Sequence, residues 1–167
     1  VLNMLKTGTG VVDTSSMGRV FDAVGVLLGV GEENTFEGEV PMKLESVATY
    51  QKHGYPFDIE DRGELVLDLL PMFDAMLQDT ENISVKAGKF HRTVAQGIGR
   101  VVSMLGKKYD IRQVALSGGV FQNRLLLRMV MEELEGFEVY IHSEVPPNDG
   151  GISLGQAFIA IGGSVCA

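Results

Sequence analysis

The chain has 167 residues, 45% of them hydrophobic, which suits a single domain with its own core or a piece of a larger one. Acidic residues outnumber basic ones by 22 to 14, a formal net charge of −8, which opposes nucleic-acid binding, and the apolar runs are too short for a membrane span. The one cysteine, Cys166, excludes a disulfide framework or a cysteine zinc site within the chain, and the start lacks a leader pattern, so the cytoplasm is the expected compartment.

The opening VLNMLKTG starts on Val1 rather than Met and reads like the end of a helix, as in part of a longer protein. From Asp13 to Gly29, apolar residues at Met17, Val20, Phe21, Val24, Leu27 and Leu28 have helical spacing, with Thr14, Ser15 or Ser16 as N-cap and Gly29 as stop. After the polar loop GEENTFEGE, Pro41 is placed to begin a short helix, PMKLESVATYQ. HGYPFDIEDRG reads as irregular or short-stranded, ELVLDLL fits a strand, and Pro71 opens a helix through Gln78.

The strongest periodicity follows. Phe90, Val94, Ile98, Val101 and Leu105 mark one face of a helix from about Ser84 to Tyr109. Gly88, Gly97 and Gly99 weaken that helix relative to alanine, so close packing is expected at them. QVALS is then a buried strand, VFQNRLLLRMVMEELEG a helix stopped by Gly136, and EVYIH a second strand. SEVPPNDGG is a loop, ISLGQAFIAIG a final helix, and the glycine-rich tail after Ile161 is expected to be loose. This last third reads strand, GG turn, helix, strand, DGG turn, helix. Such a unit has parallel strands and puts both turns at one sheet edge, where ligands bind in open α/β folds.

VALSGGVFQN raises two possibilities. A nucleophilic Ser117 would need the G-x-S-x-G elbow, whose first glycine is missing, and His142, the only histidine after it, has no evident orienting acid. Alternatively Gly118 and Gly119 let the backbone approach a ligand, with the N–H groups of the next helix offered to a phosphate and Asn123 reaching back. A plain tight turn with a solvated Asn123 accounts for the pattern equally well. Asp149 in NDGG is a helix cap if taken alone; beside the first GG turn, a metal or phosphate role gains. Asp22 lies three residues after Arg19 and reads as its ion-pair partner. The alternative is a sugar-hydroxyl acceptor, with Glu37 or Gly38 opposite. His91, one step off the apolar stripe, reads as a partly buried structural histidine. His53, His91 and His142 have no zinc-site spacing.

TSSMGRVFDAVGVLLG, TFEGEVPMKLE, KFHRTVAQGI, VALSGGVFQNRLLL and VPPNDGGISLGQA, in that order, resemble successive blocks of the carbamoyltransferase HypF family of hydrogenase maturation. The likeness is to the second half of that family's TsaD-like domain, itself similar to the tRNA threonylcarbamoyl transferase. It implies an α/β fold of the actin, sugar-kinase and heat-shock-ATPase type, with residues 1–167 forming the C-terminal subdomain around a central sheet.

The resemblance also implies chemistry. Carbamoyl-adenylate, made from carbamoyl phosphate and ATP, would pass its carbamoyl group to the C-terminal cysteine thiol of a HypE-like acceptor. Ser117, Gly118, Gly119 and Asn123 match the nucleotide-binding turn, and Asp22, Glu37 and Gly38 the nucleoside-contacting positions, which displaces the simple ion-pair reading of Asp22. Asp149 matches a ligand of a divalent metal (magnesium, iron or zinc) completed from outside this chain. The first half of the TsaD-like domain, with its histidine cluster, is not among these residues. The chain is therefore expected to hold half a site and to be inactive alone. It would also expose apolar surface suited to the missing half or to a homodimer. Two other readings stand: a non-catalytic nucleotide-binding assembly module, and a tRNA threonylcarbamoyl transferase-like protein, which the acidic charge disfavours.

Overall fold

A computed structural model describes residues 2–162; Cys166 and the tail beyond Gly162 lie outside them. Helix α1, Leu2–Thr7, ends as the opening residues suggest, and α2, Met17–Leu27, has Ser16 at its N-cap position and Gly29 in the left-handed region just beyond its end. Helix α3, Glu39–Val47, starts two residues before Pro41. Gly38 at φ 80° turns the chain into it, and Glu39 accepts from the Thr35 N–H and hydroxyl at 2.7 Å. Lys43, then Thr35, holds the Glu39 carboxyl at about 2. The Gly38 turn and the tie from Glu39 back to Thr35, not the proline, set the boundary.

Strands β1, Asp58–Asp61, and β2, Leu65–Asp68, form an antiparallel hairpin, and α4 spans Leu70–Gln78 with Pro71 in its first turn. Helix α5, Ile83–Tyr109, is about 40 Å long and is capped by Asn82, whose side chain accepts the Val85 N–H at 3.0 Å. The other elements pack around it. Phe21 of α2, Leu44 of α3, Met72 and Met76 of α4 and, further along the chain, Leu126, Met129 and Val130 join Phe90 and Val94 in one core. The glycines of α5 mark the close approaches: a Cβ at Gly99 would meet Glu133 Cβ at 2.7 Å, and one at Gly97 would meet Leu67 at 2.8 Å.

Strands β3, Gln113–Leu116, and β4, Glu138–Ile141, pair in parallel with Gln113 opposite Glu138 and Leu116 opposite Ile141. Helix α6, Arg124–Glu133, crosses between them and packs on α5, giving the expected strand–helix–strand unit. Two details differ from the sequence reading. A 3₁₀ turn, Gly119–Gln122, intervenes before α6, and QVALS is not buried throughout, since Leu116 alone is buried in it. Parallel sheets are ordinarily covered on both faces. Here no described element covers Tyr140 and Ile141, which are half exposed, and α7, Ile152–Ala160, buries none of its residues. No helix among the described residues is long and apolar enough to cross a membrane.

Candidate functional site

A cleft of about 610 Å³ opens where four pieces of chain meet: the start of α2, the entry to α3, the turn after β3 and the loop after β4. Asp22, Glu37, Gly38, Gly119 and Asn123 all line it, together with Ser16, Arg19, Glu45 and Asn148. Residues 22 and 148 share one wall system although they lie at opposite ends of the sequence. Ser117, Gly118 and Asp149 belong to the same two loops but sit beside the cleft rather than in its lining.

Asp22 keeps its ion pair: Arg19 Nη2 lies 3.2 Å from one carboxylate oxygen, and Asn34 Nδ2 donates to the other at 2.8 Å. Asn34 Oδ1 in turn accepts the Val40 N–H at 2.7 Å, so one side chain ties α2 to the first turn of α3. The ion pair and a place in the cleft are thus compatible.

Asn123 is not one turn into a helix. It is the N-cap of α6: its Oδ1 accepts the Leu126 N–H at 2.8 Å, while its Nδ2 lies 2.9 Å from Nε2 of His91. The neighbouring helical N–H groups are taken as well. Glu45 Oε1 accepts from Arg124 N at 2.8 Å and from Leu125 N at 3.3 Å, putting a protein carboxylate where the sequence suggested a phosphate. That expectation for the α6 terminus is corrected. The N–H groups with no acceptor among the described residues belong instead to Gly119 and Val120, the first two of the 3₁₀ turn.

The two glycines differ. Gly118 adopts φ 106°, ψ 154°, a region that side chains with a Cβ rarely enter, and its N–H donates to Pro147 O at 2.9 Å. Gly119 has ordinary room, with Asn148 Cβ 3.7 Å from the position of an added Cβ. Gly118→Ala is therefore expected to cost about 1–3 kcal/mol in urea unfolding, with Gly119→Ala nearly neutral. Equal losses would contradict this assignment of strain.

Ser117 Oγ lies 2.9 Å from His142 Nε2, a pair that the strand register creates. It is exposed, and among the described residues no carboxylate orients His142. In the second loop the cap is Asn148, whose Oδ1 accepts the Gly150 N–H at 3.1 Å. The Asp149 side chain is exposed and makes no hydrogen bond or ion pair among the described residues, while its backbone carbonyl accepts the Ile152 N–H, so the cap alternative for Asp149 is set aside. Among the described residues, no three histidine, cysteine, aspartate or glutamate side chains cluster in a way that could hold a metal ion. Asp149 by itself does not fit a divalent ion, which takes several ligands.

Sequence reasoning missed Glu45 and Asn34, whose partners are fixed only by tertiary packing. Asn148 did carry a signal: an Asn two residues before a glycine commonly forms such a turn. His91 is fully buried, as a structural histidine, with its ring edge-on to Phe21 and Phe90.

The strand pair, its two glycine turns and the helices around α5 define the second subdomain of an α/β domain of the Kae1-like class. Residues 1–156 match the family described as carbamoyltransferase, Kae1-like domain, second subdomain, and the chain belongs to that family. It is 33% identical to a probable carbamoyltransferase HypF of Methanocaldococcus jannaschii over 86% of the chain and 19% of that relative. With the carbamoyltransferase HypF of a Synechocystis species it shares 34% identity over 89% and 20%. The chain thus spans about a fifth of the length of these curated relatives. A crystal structure of full-length HypF in a phosphate- and nucleotide-bound form superposes with a TM-score of 0.89 at 41% identity, over 95% of this chain and 22% of the other. HypF of T. kodakarensis gives 0.82 at 33%, over 96% and 21%.

Proposed function

We propose that the cleft receives the nucleoside of carbamoyl-adenylate and that this chain supplies one wall of a carbamoyl-transfer site whose acceptor is the C-terminal cysteine thiol of a HypE-like protein. The observation that carries the reading is the meeting of Asp22, Glu37 and Gly38 with Gly119 and Asn123 in one cleft. The chain's small share of its relatives' length and the nucleotide-bound HypF neighbour support it.

Charge decides which part of the ligand fits. Asp22, Glu37 and Glu45 face a single guanidinium, Arg19, in the lining. Carboxylates accept from ribose hydroxyls and repel a bare polyphosphate. The sugar therefore belongs on the Asp22 side, with a phosphate oxygen near the open N–H groups of Gly119 and Val120. In the transfer itself the thiolate sulfur bonds to the carbamoyl carbon, the carbon–oxygen bond to phosphate breaks, and AMP leaves with that electron pair. With so good a leaving group, holding and aligning the mixed anhydride is what a protein wall contributes, and no Ser117 acyl-enzyme is required. A divalent metal would need Asp149 plus ligands from elsewhere in a longer polypeptide or from a partner.

Calorimetric titration tests the binding step. Adenosine and AMP should bind the chain with Kd above about 100 μM, roughly −5.5 kcal/mol or weaker, ATP no more tightly, and Asp22→Ala should weaken AMP at least about tenfold. Absence of binding at millimolar ligand, or an unchanged Asp22→Ala, would overturn the reading. A second reading, an assembly module, draws on the uncovered α7, where Ile152, Leu154, Phe158 and Ile159 are each more than half exposed. That face suits the rest of a longer domain or a second copy of the chain.

A further inference from the structure

We propose that His91 is a positioning residue for the cleft: its neutral ring fixes the Asn123 amide so that one N–H stays available to a bound ligand. Donors and acceptors around the ring allow one arrangement. The Ala87 carbonyl, 2.7 Å from His91 Nδ1, can only accept, so Nδ1 carries the proton and Nε2 presents a lone pair. The Leu126 N–H needs an acceptor, so Asn123 turns its oxygen there and its nitrogen toward Nε2. One amide hydrogen is spent on His91, and the other has no acceptor among the described residues on a side chain that lines the cleft.

A protonated ring would set N–H against N–H and release the amide. Among the described residues, the groups facing the ring are Phe21 from α2, Phe90 on its own helix, Asn123 before α6 and, as the one charge, Glu45 from α3. Glu45 favours the charged ring, but complete burial outweighs it and holds the pKa below the ordinary 6.5. The unfolded chain therefore takes up the proton first. His91 contributes stability in full above about pH 6.5, and this is lost as pH falls from there toward the folded value.

The inference rests on the nucleoside reading of the cleft, so the test has two arms. In ¹⁵N NMR of the chain, the Asn123 side-chain amide should be shifted and slow to exchange at pH 7.5. The shift should revert on acidification and in His91→Phe, with protection relative to a free amide at the same pH at least about tenfold lower, and be partly retained in His91→Gln, which can present an acceptor near the position of Nε2. An amide that ignores both pH and the Phe substitution overturns the proposal. If His91→Phe does not fold, the wild-type titration and His91→Gln still decide. In the second arm AMP affinity should fall about tenfold in folded His91→Phe; unchanged affinity overturns the positioning role. Failure of wild type to bind AMP while the amide behaves as described would remove the nucleoside reading and leave the His91–Asn123 coupling standing.

Discussion

Gly88→Ala is expected to destabilise the chain by about 3 kcal/mol or more, seen as a lower urea midpoint at an unchanged slope. In a helix interior the same change ordinarily helps, by about 1 kcal/mol. At Gly88 the added Cβ would lie 1.8 Å from the carbonyl oxygen of Thr49 and 2.8 Å from Gln51 Cγ. A side chain can swing away from such a contact; a peptide carbonyl cannot. The segment is also clamped to α5, because Thr49 N donates to Ser84 O at 3.0 Å and Arg92 Nε to Gln51 O at 2.8 Å. Retreat would break these bonds and open the core beneath. Gly155→Ala is the control: nothing lies within 4 Å of its position in α7, so stability should rise slightly. A small loss at Gly88 would mean that residues 48–51 are not held against the helix.

Arg92→Met should cost about 3 kcal/mol, through unpaired charge rather than lost volume. The guanidinium is almost wholly buried, yet its three nitrogens are all used: Nε on Gln51 O, Nη2 on Glu132 at 2.7 Å and Nη1 on Glu133 at 3.1 Å. The Arg92 and Arg128 guanidinium groups lie 5.0 and 4.8 Å from the centre of the Tyr50 ring, and the Tyr50 hydroxyl donates to Glu132 at 2.8 Å. Methionine keeps the stem packed but strands a carbonyl and two carboxylates at the α5–α6 contact. Because Glu132 and Glu133 are about a third exposed, they can turn toward water, which places the loss at the lower end of the range for broken buried pairs. Arg92→Lys should fall between, since one ammonium cannot serve three acceptors set in a plane. A Lys variant as stable as wild type would show that charge alone, without the fork, holds the two helices.

The sequence made some of this legible and hid the rest for physical reasons. Helix α5 could be placed within a residue because its apolar stripe, from Phe90 to Leu105, repeats over about four turns. The parallel pairing of β3 and β4 followed from strand, turn, helix and strand in close succession. The 3₁₀ turn was invisible, being shorter than any period, and with it went the place of Asn123 as a cap. Pro41 was a misleading start signal because Gly38 turns the chain and Glu39 ties back to Thr35 two residues earlier. In the cleft, Asp22 and Gly119 were marked by local motifs and a family likeness. Glu45 was not, since the N–H groups it accepts lie 79 and 80 residues further on. His91 likewise reads as an ordinary core residue until its ring nitrogens are traced to Ala87 and Asn123.

The bond from Gly118 N–H to Pro147 O joins the two loops that end on the cleft, and Asn148 Nδ2 adds a second link to Gln122 Oε1 at 3.3 Å. Loops that are free before binding must be ordered by the ligand, at a cost of roughly 0.5–1.5 kcal/mol for each immobilised side chain. Here each loop already restrains the other in the absence of any ligand. Much of that entropy is surrendered when the chain folds, so a guest meets a preshaped wall and the contacts it makes go into affinity.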